Sequence, residues 1–135
     1  MYIVFLSYII YSHKMEEKMR KKFIIKSKLE YTEIIKNCKY VKNNYFVIYY
    51  RENKEFNRYG ISVPKKTGKA HIRNKIKRRI KSIIDNNEFN IQKSYDYVII
   101  IRKRLIELNF EEIQYNFLKL IKKIGEKNEK TKKNS

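Results

Sequence analysis

The stretch GISVPKKTGKAHIRNKIKRRIK, residues Gly60 to Lys81, decides how the chain is read, because its hydrophobic period changes halfway along. Ile61 and Val63 alternate with small residues, the two-residue period of a strand, and Pro64 closes the run. A tight basic loop follows, Lys65-Lys66-Thr67-Gly68-Lys69. From Ala70 the period lengthens: Ile72, Ile76, Ile80, Ile83 and Ile84 recur at i, i+4, i+8, i+11 and i+12, one side of a helix. Asn74, Arg78 and Lys81 fall on the opposite side, with Arg73 and Lys77 on its flank. Between Phe56 and Ile84 there are ten Lys or Arg and no Asp or Glu. A solvated helix face normally mixes signs and gains from i,i+4 pairs, whereas a face of one sign repels itself until a counter-charge neutralises it. The pattern points to a helix that buries isoleucine on one side and meets a polyanion with the other.

The whole chain shares this bias. Its 135 residues include 33 Lys and Arg against 14 Asp and Glu, a formal net charge of +19. Such an excess argues for RNA, DNA or an anionic membrane as partner. The length suffices for one domain with its own core. Cys38 is the only cysteine, which excludes an intramolecular disulfide. The two histidines, His13 and His71, belong to no cluster with metal-ligand spacing. There is no phosphate-binding glycine fingerprint and no nucleophile elbow. The sequence builds no self-contained catalytic site, and no residue is assigned a catalytic or metal-binding role.

On the N-terminal side of the central stretch, Ser27-Lys28-Leu29-Glu30 has the form of a capping box. The Ser27 hydroxyl is placed to accept from the Glu30 N–H, and Glu30 to reach back to the Ser27 N–H. In the helix that follows, Tyr31, Ile34, Ile35 and Cys38 share one face. That stripe serves either as core packing or as a lining for unstacked bases, and the residues alone favour the core. Tyr45 to Tyr50, YFVIYY, is a strand by its aromatic and β-branched content, but both of its faces are apolar, so alternation does not say which faces the core. Arg51 to Asn57 is a charged connection and Arg58 to Val63 the next strand; the two strands read as a hairpin, with Gly60 and Ser62 on one face and Ile61 and Val63 on the other. A short run from Tyr40 to Lys42 has room to add an edge strand.

On the C-terminal side, Asp85 to Ser94 reads as a polar loop, and Tyr95 to Arg102 as the most strand-like run of the chain, expected at the centre of the sheet. Asn109 caps a last helix with Glu112 at the third position, and Phe110, Ile113, Phe117, Leu120, Ile121 and Ile124 form its apolar face. Gly125 is a fitting stop, and the tail 125–135, with no apolar residue, is expected to be disordered. Residues 1–12 carry no charge and are too few for a bilayer span of ~20 residues. They show neither the basic start nor the cleavage site of a signal peptide, and the favoured expectation is a true start at Met15 or Met19. The expected division is an extension over 1–18, one domain over 19–124 and the tail. The element order is α-β-β-β-α-β-α, an α+β fold around a small, mostly antiparallel sheet.

Arg58-Tyr59-Gly60-Ile61-Ser62-Val63, then Lys65-Lys66, Gly68, Ala70 and Arg73-Asn74-Lys75-Ile76-Lys77-Arg78, resembles the signature of the bacterial ribonuclease P protein subunit. The resemblance runs from about Met19 to about Ile124, and Asp96-Tyr97-Val98, Arg102 and Phe110-Glu111-Glu112 fit in order. It implies a ribosomal protein S5 domain 2-like fold with a left-handed βαβ crossover, against the general right-handed preference. It implies an accessory subunit: a catalytic RNA with bound Mg²⁺ hydrolyses precursor tRNA at the 5′ end, and the protein binds no cofactor of its own. By matching positions, Arg73, Asn74, Lys75, Lys77 and Arg78 would contact the catalytic RNA, with Lys65, Lys66 and Lys69 from the loop and Lys81 further along the helix. The single-stranded 5′ leader would lie in a cleft lined by Tyr31, Ile35, Val47, Tyr49 and Ser62. The family's motif has Arg where Lys75 stands, often an aromatic where Ile35 stands, and commonly Gly where Cys38 stands.

The resemblance implies a cytoplasmic protein whose partners are the catalytic RNA and precursor tRNA, with neither DNA nor a membrane among them. Two other classes predict different behaviour. A general RNA-binding or ribosomal-type protein would bind RNA without rescuing a catalytic RNA. A membrane-surface protein using residues 1–12 with the basic patch would bind liposomes and lose that binding when translation begins at Met19.

Overall fold

The computed structural model describes residues 23–37 and 39–133. In chain order these form helix α1 (Lys28–Lys36), strands β1 (Tyr40–Lys42), β2 (Phe46–Glu52) and β3 (Arg58–Ser62), helix α2 (Ala70–Asn86), strand β4 (Tyr95–Ile101) and helix α3 (Phe110–Lys133). Short 3-10 turns cover Lys65–Thr67, Glu88–Asn90 and Lys103–Glu107. The expectations for residues 1–12, for a start at Met15 or Met19 and for Cys38 fall outside the described residues.

Strand β4 organises the sheet. All of its residues except Ile100 are buried, so it needs a strand on each edge and cover on each face. The order is β1-β2-β4-β3, with β2 antiparallel and β3 parallel to β4. This corrects the hairpin expected from β2 and β3, because β4 lies between them. Adjacency in sequence favours a hairpin, but the most apolar strand takes the central position, and half-buried β3 goes to the edge. That edge is not left bare: Ile25 N–H donates to Tyr59 O at 2.9 Å and Tyr59 N–H to Phe23 O at 2.7 Å.

The two faces of the sheet differ. Phe46, Ile48, Tyr50, Tyr97, Ile99 and Ile101 point into the main core beneath α2 and α3. The ambiguity of YFVIYY is thus settled, with Val47 and Tyr49 turned to the opposite face beside α1. Ile76, Ile80, Ile83 and Ile84 anchor α2, as the period predicts, while Ile72 is half-buried at its start. Burying an isoleucine stabilises by about 1.5–3 kcal/mol, so four of them hold down a helix whose outer face is strongly basic. The expected polar loop is shorter than read. α2 continues to Asn86, and Ile91, isolated among polar residues and so without a period to betray it, is buried in the same core.

The starts of α1 and α3 are both capped by side chains, but differently. Asn109 Oδ1 accepts from Glu112 N–H at 2.9 Å, and Glu112 Oε1 accepts from Asn109 N–H at 3.3 Å, a complete box. Ser27 Oγ accepts from Glu30 N–H at 3.4 Å, but the Glu30 carboxylate turns to Arg58 Nη1 at 3.3 and 3.4 Å instead of its own helix start. A charge-assisted bond outcompetes a backbone N–H that water can serve. Gly125 does not end α3, which runs to Lys133 through residues expected to be disordered. Gly125 does not adopt the left-handed conformation of a helix stop, so the backbone continues through it. Lys127 Nζ also donates to Tyr40 O at 3.3 Å, tying this helix to β1.

Candidate nucleic-acid interface

One candidate surface lies along α2 and the turn before it. Burial of the isoleucine side orients the rest of the helix, leaving Asn74, Lys75, Arg78 and Lys81 exposed and Arg73 and Lys77 half-buried at the flank. Lys65 and Lys66 are exposed in the 3-10 turn, and Lys69 is exposed at the cap of α2. None of these cations enters an ion pair among the described residues. Arg73 Nε is buried without a hydrogen-bond partner, as is Thr67 Oγ1. An unpaired buried donor costs about 1–3 kcal/mol, more for a charged group, so each of these atoms is left with bonding capacity that the protein's own groups do not use. The turn at Lys65–Thr67 packs beside the turn at Lys103–Glu107, which brings exposed Lys103 and Arg104 to the same end of the molecule. Those two were missed in the sequence, where they sit outside any amphipathic period.

The second surface is the sheet face beside α1. The pairing places Tyr40, Tyr49, Val98 and Gly60 in one row across the four strands, and Lys42, Val47, Ile100 and Ser62 in the next. Val98 and Gly60 are buried, whereas Val47, Ile100 and Ser62 stay half-exposed, so α1 covers only part of the face. Tyr31, Ile35, Tyr49 and Ile100 pack, partly buried, against Ile25, Ile34 and Val98. The five expected cleft residues, Tyr31, Ile35, Val47, Tyr49 and Ser62, thus come together on one side of the sheet. Gly60 makes this possible: a Cβ there would collide with the Tyr31 ring and hydroxyl. Burial raises the Tyr31 phenol above its ordinary pKa, so the ring carries no charge near neutral pH.

A cluster that the sequence did not reveal closes one end of this face. Asp96 is buried in β4 and receives Arg58 Nε at 2.9 Å, Arg58 Nη2 at 3.0 Å, Arg51 Nε at 3.0 Å and Asn53 Nδ2 at 2.8 Å. Arg58 continues to Glu30, and Arg51 Nη1 to Glu33 at 3.4 Å, so both arginines join the sheet to α1. Burial pushes the Asp96 carboxyl upward, but the bonds from Arg58, Asn53 and Arg51 outweigh it and hold the group below its usual value. The available signal was an aspartate inside the most apolar strand, since such a residue requires partners.

At the other end of the floor, Ser62 ends β3 three residues before Lys65, so the half-exposed row leads to the basic turn. Arg102 follows β4 at the same end and donates to Asn43 O at 3.1 Å. Rings and half-buried aliphatics in a groove running to a basic rim can stack unpaired bases and hold their phosphates.

The family model described as Ribonuclease P matches residues 19–125. The ribonuclease P protein component of Mycoplasma capricolum is 45% identical over 108 residues, covering 78% of this chain and 99% of that protein. The protein of the same name from Streptococcus agalactiae is 40% identical over 109 residues, 79% of this chain and 98% of its own. Among solved structures, a Staphylococcus aureus RNase P protein, a mutant with defective mRNA degradation activity, superposes with a TM-score of 0.73 at 35% identity, covering 84% of this chain and 96% of that one. The RNase P protein from Thermotoga maritima gives 0.69 at 36% identity, over 73% and 94%.

Proposed function

This chain belongs to the ribonuclease P protein family, and from that premise we propose that its two surfaces grip two different RNAs. As a member of that family it is the protein subunit of an endoribonuclease complex that matures the 5′ end of tRNA. The basic face of α2 and its preceding turn take the catalytic RNA. Lys65, Lys66, Lys69, Arg73, Asn74, Lys75, Lys77, Arg78 and Lys81 supply phosphate and hydrogen-bonding contacts. The cleft beside α1 takes the single-stranded leader of precursor tRNA, with Tyr31 and Tyr49 as stacking surfaces. Ile35, Val47 and Ser62 complete its lining. The complex works in the cytoplasm.

The mechanism is differential binding. The leader adds contacts to precursor and none to mature tRNA, so gripping it separates substrate from product. Stacking and phosphate contacts tolerate many sequences, which suits one enzyme acting on many leaders. Positive charge between two RNAs also lowers their mutual repulsion. The Mg²⁺ of the reaction is assigned to the RNA. Among the described residues no three His, Cys, Asp or Glu gather as a cation cage, and Asp96 is occupied by arginines.

The observation that carries this reading is the basic outer face of α2, with no acidic residue before Asp85, held out by four buried isoleucines. The test is reconstitution of the protein with a bacterial ribonuclease P RNA at low Mg²⁺, assaying cleavage of precursor tRNA. The protein is expected to restore cleavage and to strengthen binding of leader-bearing over mature tRNA. RNA binding without rescue of cleavage would instead favour a general RNA-binding protein.

A further inference from the structure

Strand β1 brings two residues to the cleft face that the division of labour above leaves unused, Tyr40 and Lys42. Tyr40 lies opposite Tyr49 and Lys42 opposite Val47 in the antiparallel ladder, and facing positions share a side of the sheet. The Tyr40 and Tyr49 rings are 5.5 Å apart and tilted by 47°. Tyr40 is 41% exposed, and a single exposed aromatic would need no explanation. This one continues a row. Tyr31 covers Gly60 on β3, Tyr49 stands on β2 and Tyr40 on β1, so rings mark both ends of a line across the sheet. Three interstrand spacings of about 4.8 Å make that line about 14 Å long. The outer end is fixed in place, because Val41 is buried beneath β1 and Lys127 holds the Tyr40 carbonyl. Lys39 and Lys42 are exposed on either side of Tyr40. At the α1 wall, half-buried Ile35 offers no ring.

We propose that Tyr40 is a further leader-stacking residue, extending the cleft across β1 to the sheet edge, with Lys42 holding a phosphate beside it. The inference rests on the leader reading of the cleft. A ring tilted against its neighbour keeps one face free for a base, and a lysine on the same strand face serves the backbone as a point charge.

The test uses the reconstituted holoenzyme and precursor tRNAs with leaders of about two and about eight nucleotides, lengths on either side of the ~14 Å row at about 3.4 Å per stacked nucleotide. Tyr40→Ala is expected to weaken binding of the long-leader substrate about five- to tenfold, the low end of base–aromatic stacking. Binding of the short-leader substrate and of mature tRNA should hold. Tyr40→Phe should behave as the unaltered protein, because the ring and not the hydroxyl is used. Tyr40→Leu, which keeps apolar cover on β1, should fail like Tyr40→Ala although the fold is intact. Lys42→Ala should reduce the salt slope for the long leader by about one unit. If Tyr49→Ala weakens long-leader binding and neither Tyr40→Ala nor Tyr40→Leu does, Tyr40 is only edge cover and the cleft reading survives. If none of the three variants weakens it, the cleft reading falls as well. Equal weakening on long-leader, short-leader and mature tRNA also overturns the proposal.

Discussion

The basic face of α2 and the cleft beside α1 are built by opposite means. The first is one helix with one period: burying Ile76, Ile80, Ile83 and Ile84 turns the cations outward whatever the neighbouring strands do. The second has no meaning on any single element. It needs Tyr31 from α1, Val47 and Tyr49 from β2, Ile100 from β4 and Gly60 and Ser62 from β3 in one register. Charge acts over a Debye length of roughly 8–10 Å and tolerates small displacements, whereas a stacked ring must meet its base face to face. The helix face should therefore survive local damage that the cleft does not.

The largest expected effect separates the two through Asp96. Asp96→Asn leaves Arg51 and Arg58 without their shared carboxylate and should destabilise the fold by about 3 kcal/mol or more, read from urea unfolding. In the protein that remains folded, leader-dependent binding should fall while salt-dependent binding to the catalytic RNA persists; equal loss of both would deny the contrast. The pH dependence has a definite sign. The folded pKa of Asp96 is held below the unfolded value of about 3.9, so its stabilisation is complete above that value and is lost as pH falls through the lower folded one. That acid-limb loss should be missing from the Asn variant.

Next come the cleft tyrosines. Tyr31→Ala and Tyr49→Ala should each cost on the order of 1–3 kcal/mol in binding a precursor with a leader of several nucleotides. Mature tRNA and the catalytic RNA alone should be unaffected. Unfolding curves measured beside the binding assay distinguish this from core damage, which would cost ~3 kcal/mol or more in stability.

Gly60→Ala probes the same surface from below. The added methyl meets the far end of the Tyr31 side chain, so the ring must move, at an overpacking cost of about 1–3 kcal/mol at most. Leader affinity should drop with little change in the salt slope of catalytic-RNA binding. Retained leader affinity would show that Tyr31 need not sit over Gly60 to work.

The smallest change is expected on the helix. Replacing Lys77 and Arg78 together with Ala should flatten the log–log salt dependence of RNA binding by about one to two units, through lost counterion release. The fold should be untouched, since Arg78 is exposed and Lys77 lies at the flank. An unchanged slope would leave both side chains in solvent and remove the helix from the comparison.

How much of this was legible follows from where each feature is encoded. The start of α2 at Ala70, the isoleucine stripe and the Asn109–Glu112 box were readable because each depends on residues within one or two turns. The Asp96 cluster was not, because Asp96 lies 45 positions from Arg51 and 38 from Arg58, and no local period or cap links them. The hairpin expectation failed for a related reason. Nothing between Glu52 and Arg58 says that a strand from a later part of the chain will enter between β2 and β3.

By itself the amino-acid order determined the periods, the caps and the sign of the charge, and through them a helix with an apolar inner side and a basic outer one. Only the tertiary structure decided which face of YFVIYY is buried, that Glu30 serves Arg58 and not its own helix start, and that rings from α1, β1 and β2 fall into one row. The physical reason is range. Periodicity and capping are local properties of the backbone, whereas strand order and register are set by which apolar surfaces the whole chain can bury together.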